Sequence, residues 1–269
     1  MDVGLVAIFV ALGAAVGFLA GLLGIGGGMT IVPVLVAAFT HVGFPLQHIL
    51  PMAIGTAMAT IVFTSLASTR AHHAHGAVGW RIVRAMAPGL VLGSLLGPQF
   101  AAAIPARLMG AIFALFTWFT AARMVRAPAA AKAARTLPGS AAMFGVGTGI
   151  GAISGMLGAG GAFLTVPFMT RCNVPIHGAV ATAAALGIPI ALAATIGFVV
   201  AGLAQEGLPA WSVGYVHLPA LAAIVGASML AAPYGARTAH RWPVAKLRRA
   251  FAVLMAALGA YMAWWSLVR

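Results

Sequence analysis

Long apolar stretches divided by short basic segments make up almost the whole chain. Runs free of charged side chains cover residues 4–23, 49–69, 85–104, 108–122, 136–170, 172–205, 207–236 and 250–268. A helix needs about 20 apolar residues to cross a bilayer, so most of these runs predict membrane-spanning helices. The shortest, 108–122, reaches that length once Arg107 and Arg123 snorkel from its ends. Glycine-packed phrases interrupt the pattern twice. LGIGGGMTIVP occupies 23–33 and LGAGGAFLTVP occupies 157–167, matching at six of eleven positions at an offset of 134. The pattern predicts an all-α polytopic membrane protein built from two copies of one unit.

Other pairs support the duplication. Val78-Gly79-Trp80 answers Val213-Gly214-Tyr215, and Pro45-Leu46-Gln47-His48 answers Pro175-Ile176-His177. Pro105 and Pro243 each precede the terminal helix of a half. The segment RAPAAAKAARTLPG between the halves is rich in alanine, proline and basic residues. The expected organisation is a first repeat over 1–125, a basic cytoplasmic linker over 126–139 and a second repeat over 140–269, all within one integral membrane domain.

Composition agrees with a membrane class. Of 269 residues, 62% are hydrophobic and 6% charged, too few polar groups to cover a soluble domain. The net charge of +13 does not indicate nucleic acid, because the basic residues lie between apolar runs and form no basic domain. Cys172 is the only cysteine, which rules out an intrachain disulfide. The opening MDVGLVAIFV has no basic n-region and no A-x-A site, so it reads as the first membrane segment.

The charges also choose a topology. If every apolar stretch crossed once, the basic loops would fall on both faces, against the positive-inside rule. If the glycine phrases turn the chain back, each half becomes a re-entrant helical hairpin plus three transmembrane helices. Then 13 of the 15 Lys and Arg residues share one face, with Arg107, Arg269, Asp2 and Glu206 on the other. The halves insert in opposite orientation as inverted repeats. Both termini are expected outside, in a multi-pass protein of the inner (plasma) membrane. Whether residues 4–23 cross fully or form one arm of the hairpin stays open, since they are long enough to cross alone.

The glycine phrase has two readings. Glycines permit close helix packing, and they also break helices, at about 1 kcal/mol each relative to alanine. Irregular backbone at membrane depth survives only when buried in protein or lining a cavity, and duplication at matching positions favours a broken helix that lines a site. The first N–H groups of a helix restarting near Met29 or Phe163 have no internal acceptor and sit at the positive end of its dipole. Glycine lets an anion approach such groups closely. The expected site therefore comprises Gly24, Gly26, Gly27, Gly28, Met29 and Thr30 of the first copy, with Gly158, Gly160, Gly161, Ala162, Phe163 and Thr165 of the second. Thr56, Thr60 and Thr64 recur on one helical face and Thr182 stands comparably in the second half. Thr56 and Thr182 join the site as hydroxyls that line it, against the alternative that such threonines bond back to their own helix.

His48 and His177 each follow a loop proline and are candidates to carry a proton. His72, His73 and His75 form a solvated basic loop without the cysteine or acid that would close a metal site, so no metal is expected. Trp264, Trp265 and Tyr261 read as an aromatic belt. Neither glycine phrase completes G-x-G-x-x-G, no Gly-Lys-Ser/Thr follows, and no catalytic constellation is visible. These absences point away from an ATPase and from an enzyme, and no cofactor is expected.

Twin G-x-G-G-G/A phrases closing on Val-Pro, in a two-halved chain of this length, resemble the TauE/SafE family of inner-membrane permeases. The resemblance runs from about Gly17 to Trp265, with Ala162 departing from the glycine at Gly28. It implies export of sulfite or a small organosulfonate, and the expected function is a secondary transporter that moves this anion by alternating access within the lipid bilayer. Coupling to H+ or Na+ and assembly as a homo-oligomer are open. The rival readings are a passive anion channel and a membrane sensor or assembly subunit without transport.

Overall fold

A computed structural model describes residues 3–23, 28–126, 136–239 and 244–268. Among them are ten helices and one short hairpin. The first half contains α1 (Val3–Leu23), α2 (Gly28–Val42), α3 (Leu46–Ala74), α4 (Trp80–Ala103) and α5 (Ala106–Arg126). The second contains α6 (Ser140–Leu157), α7 (Ala162–Arg171), α8 (Ile176–Leu203), β1 (Ser212–Val213), β2 (Val216–His217), α9 (Leu218–Ala239) and α10 (Val244–Val268). Helices α3, α5, α6, α8 and α10 contain stretches long and apolar enough to cross a bilayer. Leu115, Val200, Leu230, Val253 and Leu267 present apolar surface outward, where lipid is the matching solvent. The protein is an all-α polytopic membrane protein.

The helix breaks fall where the glycines are. Helix α6 ends at Gly158, in the left-handed region (φ 69°), and Gly160 (φ 59°) and Gly161 (φ 77°) hold the same conformation before α7 begins. Three such residues within four positions suit glycine alone. Helix α7 has ten residues and rises only about 15 Å, half a bilayer. Helix α1 has 21 residues, about 31 Å, enough to cross.

Two expectations need adjustment. His72 and His73 belong to the last turn of α3, because no breaker intervenes before Gly76. Trp80 Nε1 donates to His73 Nδ1, and His75 Nδ1 lies 2.8 Å from the Ala71 carbonyl. The apolar run at 207–236 does not start as a helix: the β1–β2 hairpin with its left-handed Gly214 folds inward, and α9 begins only at Leu218. Among the described residues no group of three metal-type side chains gathers.

Helices interlock across the halves. Helix α6 packs parallel to α4 along two opposed glycine ladders, Gly89, Gly93 and Gly97 against Gly147, Gly151 and Gly155. A Cβ at Gly93 would run into the Thr148 carbonyl, and one at Gly97 would lie 2.7 Å from Met156 N. Helix α1 lies parallel to α9 in the same manner: a Cβ on Gly13 would sit 2.7 Å from Ile224 Cα, and one on Gly17 would meet the Ser228 backbone. Helix α3 runs antiparallel to α8, with Gly55 against Phe198 and Gly187 against Ser65. Helix α5 runs antiparallel to α10, where Trp118 Nε1 donates to the Ala256 carbonyl.

Candidate functional site

The start of α2 meets the glycine break that follows α6, at buried positions. A Cβ placed on Gly28, the first residue of α2, would lie 2.8 Å from the Gly158 carbonyl and 2.5 Å from Ile61 Cδ1. One on Gly158 would meet Val32 and Ile54, and one on Gly161 would run into Ile190. Helices α3 and α8 thus supply isoleucines that press on the breaks. Met29 and Thr30 are buried in the first turn of α2. Gly24, Gly26 and Gly27 lie outside the described residues.

The start of α7 is rich in donors. Gly158 N and Ala159 N both bond to the Ser154 carbonyl, and Leu164 N and Thr165 N both bond to the Gly161 carbonyl. The N–H groups of Gly160, Gly161, Ala162 and Phe163 take no acceptor among the described residues, the situation expected of a helix start after a left-handed turn. Thr165 is buried and donates to the Gly161 carbonyl at 3.0 Å, so its hydroxyl steadies the first turn. Phe163 stacks on Phe251 of α10 with centroids 6.2 Å apart. Pro33 and Pro167 have no N–H, so the carbonyls four residues earlier, on Met29 and Phe163, lose their helical donor. The start of α7 therefore offers both amide donors and a freed carbonyl, and α2 has a freed carbonyl at the matching position.

The threonines have divided roles. Thr56 Oγ1 accepts from His217 N at 3.0 Å, and Thr182 Oγ1 accepts from Gly79 N at 2.9 Å. Thr60 bonds back to the Thr56 carbonyl and Thr64 to that of Ile61.

The two histidines differ. His48 is buried and His177 is exposed on the first turn of α8. His48 Nε2 lies 3.1 Å from the Glu206 carbonyl and 3.1 Å from Gln47 Nε2, and its Nδ1 is buried with no hydrogen-bond partner. A cavity of about 260 Å³ beside it is lined by Gln47, Pro51, Ile54, Met109, Gln205 and Tyr215. At the opposite, basic end a cavity of about 920 Å³ is lined by Arg81, Arg84, Thr136, Ser140 and Phe144.

Sequence reasoning missed Ser154, Ile61, Ile190 and His217. For Ser154 a signal existed: the offset of 134 sets it opposite Ala20, a polar residue where the first copy has none. His217, enclosed by Phe9, Phe39 and Phe44, carried no comparable signal.

This geometry can be set beside known proteins. The model of the family described as Sulfite exporter TauE/SafE matches residues 9–262. The chain belongs to the TauE/SafE family. A Haemophilus influenzae protein named "Probable membrane transporter protein" is 33% identical over 244 residues, covering 90% of this chain and 92% of the relative. A Xylella fastidiosa protein of the same name is 29% identical over 262 residues, with 94% and 92% covered. "Probable membrane transporter protein YdhB" of Bacillus subtilis is 26% identical over 254 residues, with 90% and 94% covered. No solved structure matches this chain significantly.

Proposed function

We propose that this TauE/SafE-family member is a secondary transporter, not an enzyme, that exports a small anion, with sulfite or an organosulfonate as the cargo. The observation that carries the proposal is the meeting of Gly28 with the Gly158 carbonyl. It sets the start of α2, positive by its dipole, against the buried break between α6 and α7, four residues before the start of α7 at Ala162. Such paired broken helices are the substrate sites of many inverted-repeat transporters.

Packing supports the inverted reading of the repeats at 1–125 and 140–269. Counterpart helices α3 and α8, and again α5 and α10, run antiparallel, while the α4–α6 pairing has its counterpart in α9–α1. A two-fold axis lying in the membrane plane produces that arrangement. In this reading Arg81 and Arg84 line the inner mouth, where they concentrate anions. His48 faces the outer one. The protein sits in the inner membrane with both termini outside. Transport couples to H+ through His48, or to Na+ held by the carbonyls that Pro33 and Pro167 free. Alternating access requires Ile61 and Ile190 to withdraw from the breaks.

Purified protein in liposomes loaded with sulfite tests the function. Saturable efflux that responds to a pH or sodium gradient, is accelerated by external sulfite and is lost in Gly161→Leu supports a coupled carrier. Linear, gradient-independent flux indicates a channel, and no flux of sulfite or methanesulfonate refutes the transport reading.

A further inference from the structure

The serine and threonine hydroxyls buried in these helices are, for the most part, satisfied at home. Thr60, Thr117, Thr120 and Thr195 each donate to the carbonyl four residues back. Ser94 donates across to Gly151 and Ser228 to Gly13. Ser154 does neither. It is fully buried in the last turn of α6, and its Oγ has no hydrogen-bond partner among the described residues. Leaving a hydroxyl dry and unpaired is unfavourable, so a group in that state calls for a partner the resting protein does not supply.

Its placement indicates which partner. Ser154 Oγ lies 3.7 Å from the position of a Cβ on Gly161, beside the left-handed turn whose N–H groups at 160–163 are unclaimed. The unclaimed N–H groups at 160–163 are donors, and no acidic side chain lies in the turn or in α6 and α7. A hydroxyl beside three or four unclaimed amides suits the oxygen of an anion. Large groups are excluded, since Ile190 closes on Gly161 and Ile61 Cδ1 stands 3.6 Å from a Cβ position on Gly160.

The first copy is not built this way. Ala20 occupies the place of Ser154, so the hydroxyl exists on one side only. Resting on the anion-transport reading above, we propose that Ser154 Oγ and the amides of Gly161, Ala162 and Phe163 form the half-site that grips one oxygen of a small oxyanion. The first repeat contributes its helix start without a hydroxyl at the position that matches Ser154. The cargo is therefore bound asymmetrically, charged oxygens toward α7, with its other end toward α2. An anion with a short substituent, such as a small sulfonate, fits that polarity as well as sulfite does.

The test uses the intact protein as parent, Ser154→Ala, Ser154→Thr and, as a control in the first copy, Ala20→Ser. Thermal unfolding in detergent is measured with and without sulfite and methanesulfonate, and efflux is measured from proteoliposomes. A hydrogen bond to a charged group corresponds to roughly a tenfold change in affinity or more. Ser154→Ala is expected to keep the ligand-free unfolding temperature or raise it, while the half-saturating anion concentration rises roughly tenfold. Ser154→Thr keeps the hydroxyl and is expected to stay within about threefold of the parent, and Ala20→Ser does not rescue Ser154→Ala. Equal anion stabilisation in parent and Ser154→Ala overturns the site and leaves transport standing. Absence of stabilisation of the parent by both anions also overturns it. Stabilisation that depends on Ser154 without any flux upholds the site and refutes transport.

Discussion

Thr182 Oγ1 accepts a hydrogen bond from Gly79 N at 2.9 Å, joining residues 103 positions apart in different halves of the chain. Thr56 Oγ1 makes the reciprocal bond from His217 N at 3.0 Å. In each case a long helix of one half, α8 or α3, caps the loop that leads into α4 or α9 of the other. Both threonines are completely buried, so no water replaces the acceptor if it is removed. Thr182→Val keeps the shape and deletes the oxygen, stranding the partly buried Gly79 N–H. The expected loss is about 1–3 kcal/mol of stability, read as a lower unfolding temperature in detergent, with Thr182→Ser close to the parent. A Thr182→Val protein as stable as the parent removes the bond from the list of what holds the halves together.

The ladder between α4 and α6 has no room for a side chain. Alanine at Gly93 meets the Thr148 carbonyl directly. Backbone in a helix yields less than the end of a side chain, so Gly93→Ala should cost about 1–3 kcal/mol or prevent folding. On the opposite side of α6 a Cβ at Gly149 meets nothing within 4 Å. Gly149→Ala should be neutral or stabilising by up to about 1 kcal/mol, since alanine favours the helix. Size-exclusion profiles and unfolding temperatures of the two variants separate packing from propensity.

How much of this was legible follows from the range over which each signal acts. The breaks were legible: glycine is a poor helix former whatever its neighbours, and the restarts expected near Met29 and Phe163 occur at Gly28 and Ala162. The membrane class was legible for the same local reason, as long apolar runs have few other uses. Partnership was not. Nothing in residues 89–97 says that their glycines face 147–155 and not lipid, because small residues serve both. The inward fold of 207–217 was hidden as well, since an apolar run reads alike as span or buried loop until Gly214 is seen in the left-handed region. Thr56 and Thr182, expected to line the site, accept hydrogen bonds from loop amides across the halves, an acceptor role visible only once the partners are in place.

If protons drive transport, His48 and His177 should behave differently. His48 is enclosed beside a cavity with Nδ1 unpartnered, while His177 is exposed. A carrier of protons must be sheltered from one side at a time, which the exposed ring is not. His48→Gln should abolish the response of sulfite efflux to an imposed pH gradient and leave gradient-free exchange of sulfite. His177→Gln should change neither. Efflux in His48→Gln that still follows the pH gradient excludes this residue as the carrier and turns attention to sodium.

Arg81 and Arg84 act on the cargo before it binds, if the cavity they line is the inner mouth. Both side chains are exposed, so their contribution is a field that attracts anions and not a bond that holds them. Such a field is screened by salt: the Debye length falls from about 30 Å at 0.01 M to about 8 Å at 0.15 M. The double variant Arg81→Gln/Arg84→Gln should therefore slow efflux at subsaturating sulfite by a factor on the order of ten at low ionic strength. The gap to the parent should narrow as neutral salt is added on the side of that mouth. Maximal flux at saturating sulfite should be nearly unchanged, because the central site is intact. Loss of maximal flux at every salt concentration would instead place the arginines in the transport cycle itself, where alternate closure of the mouth needs their charge.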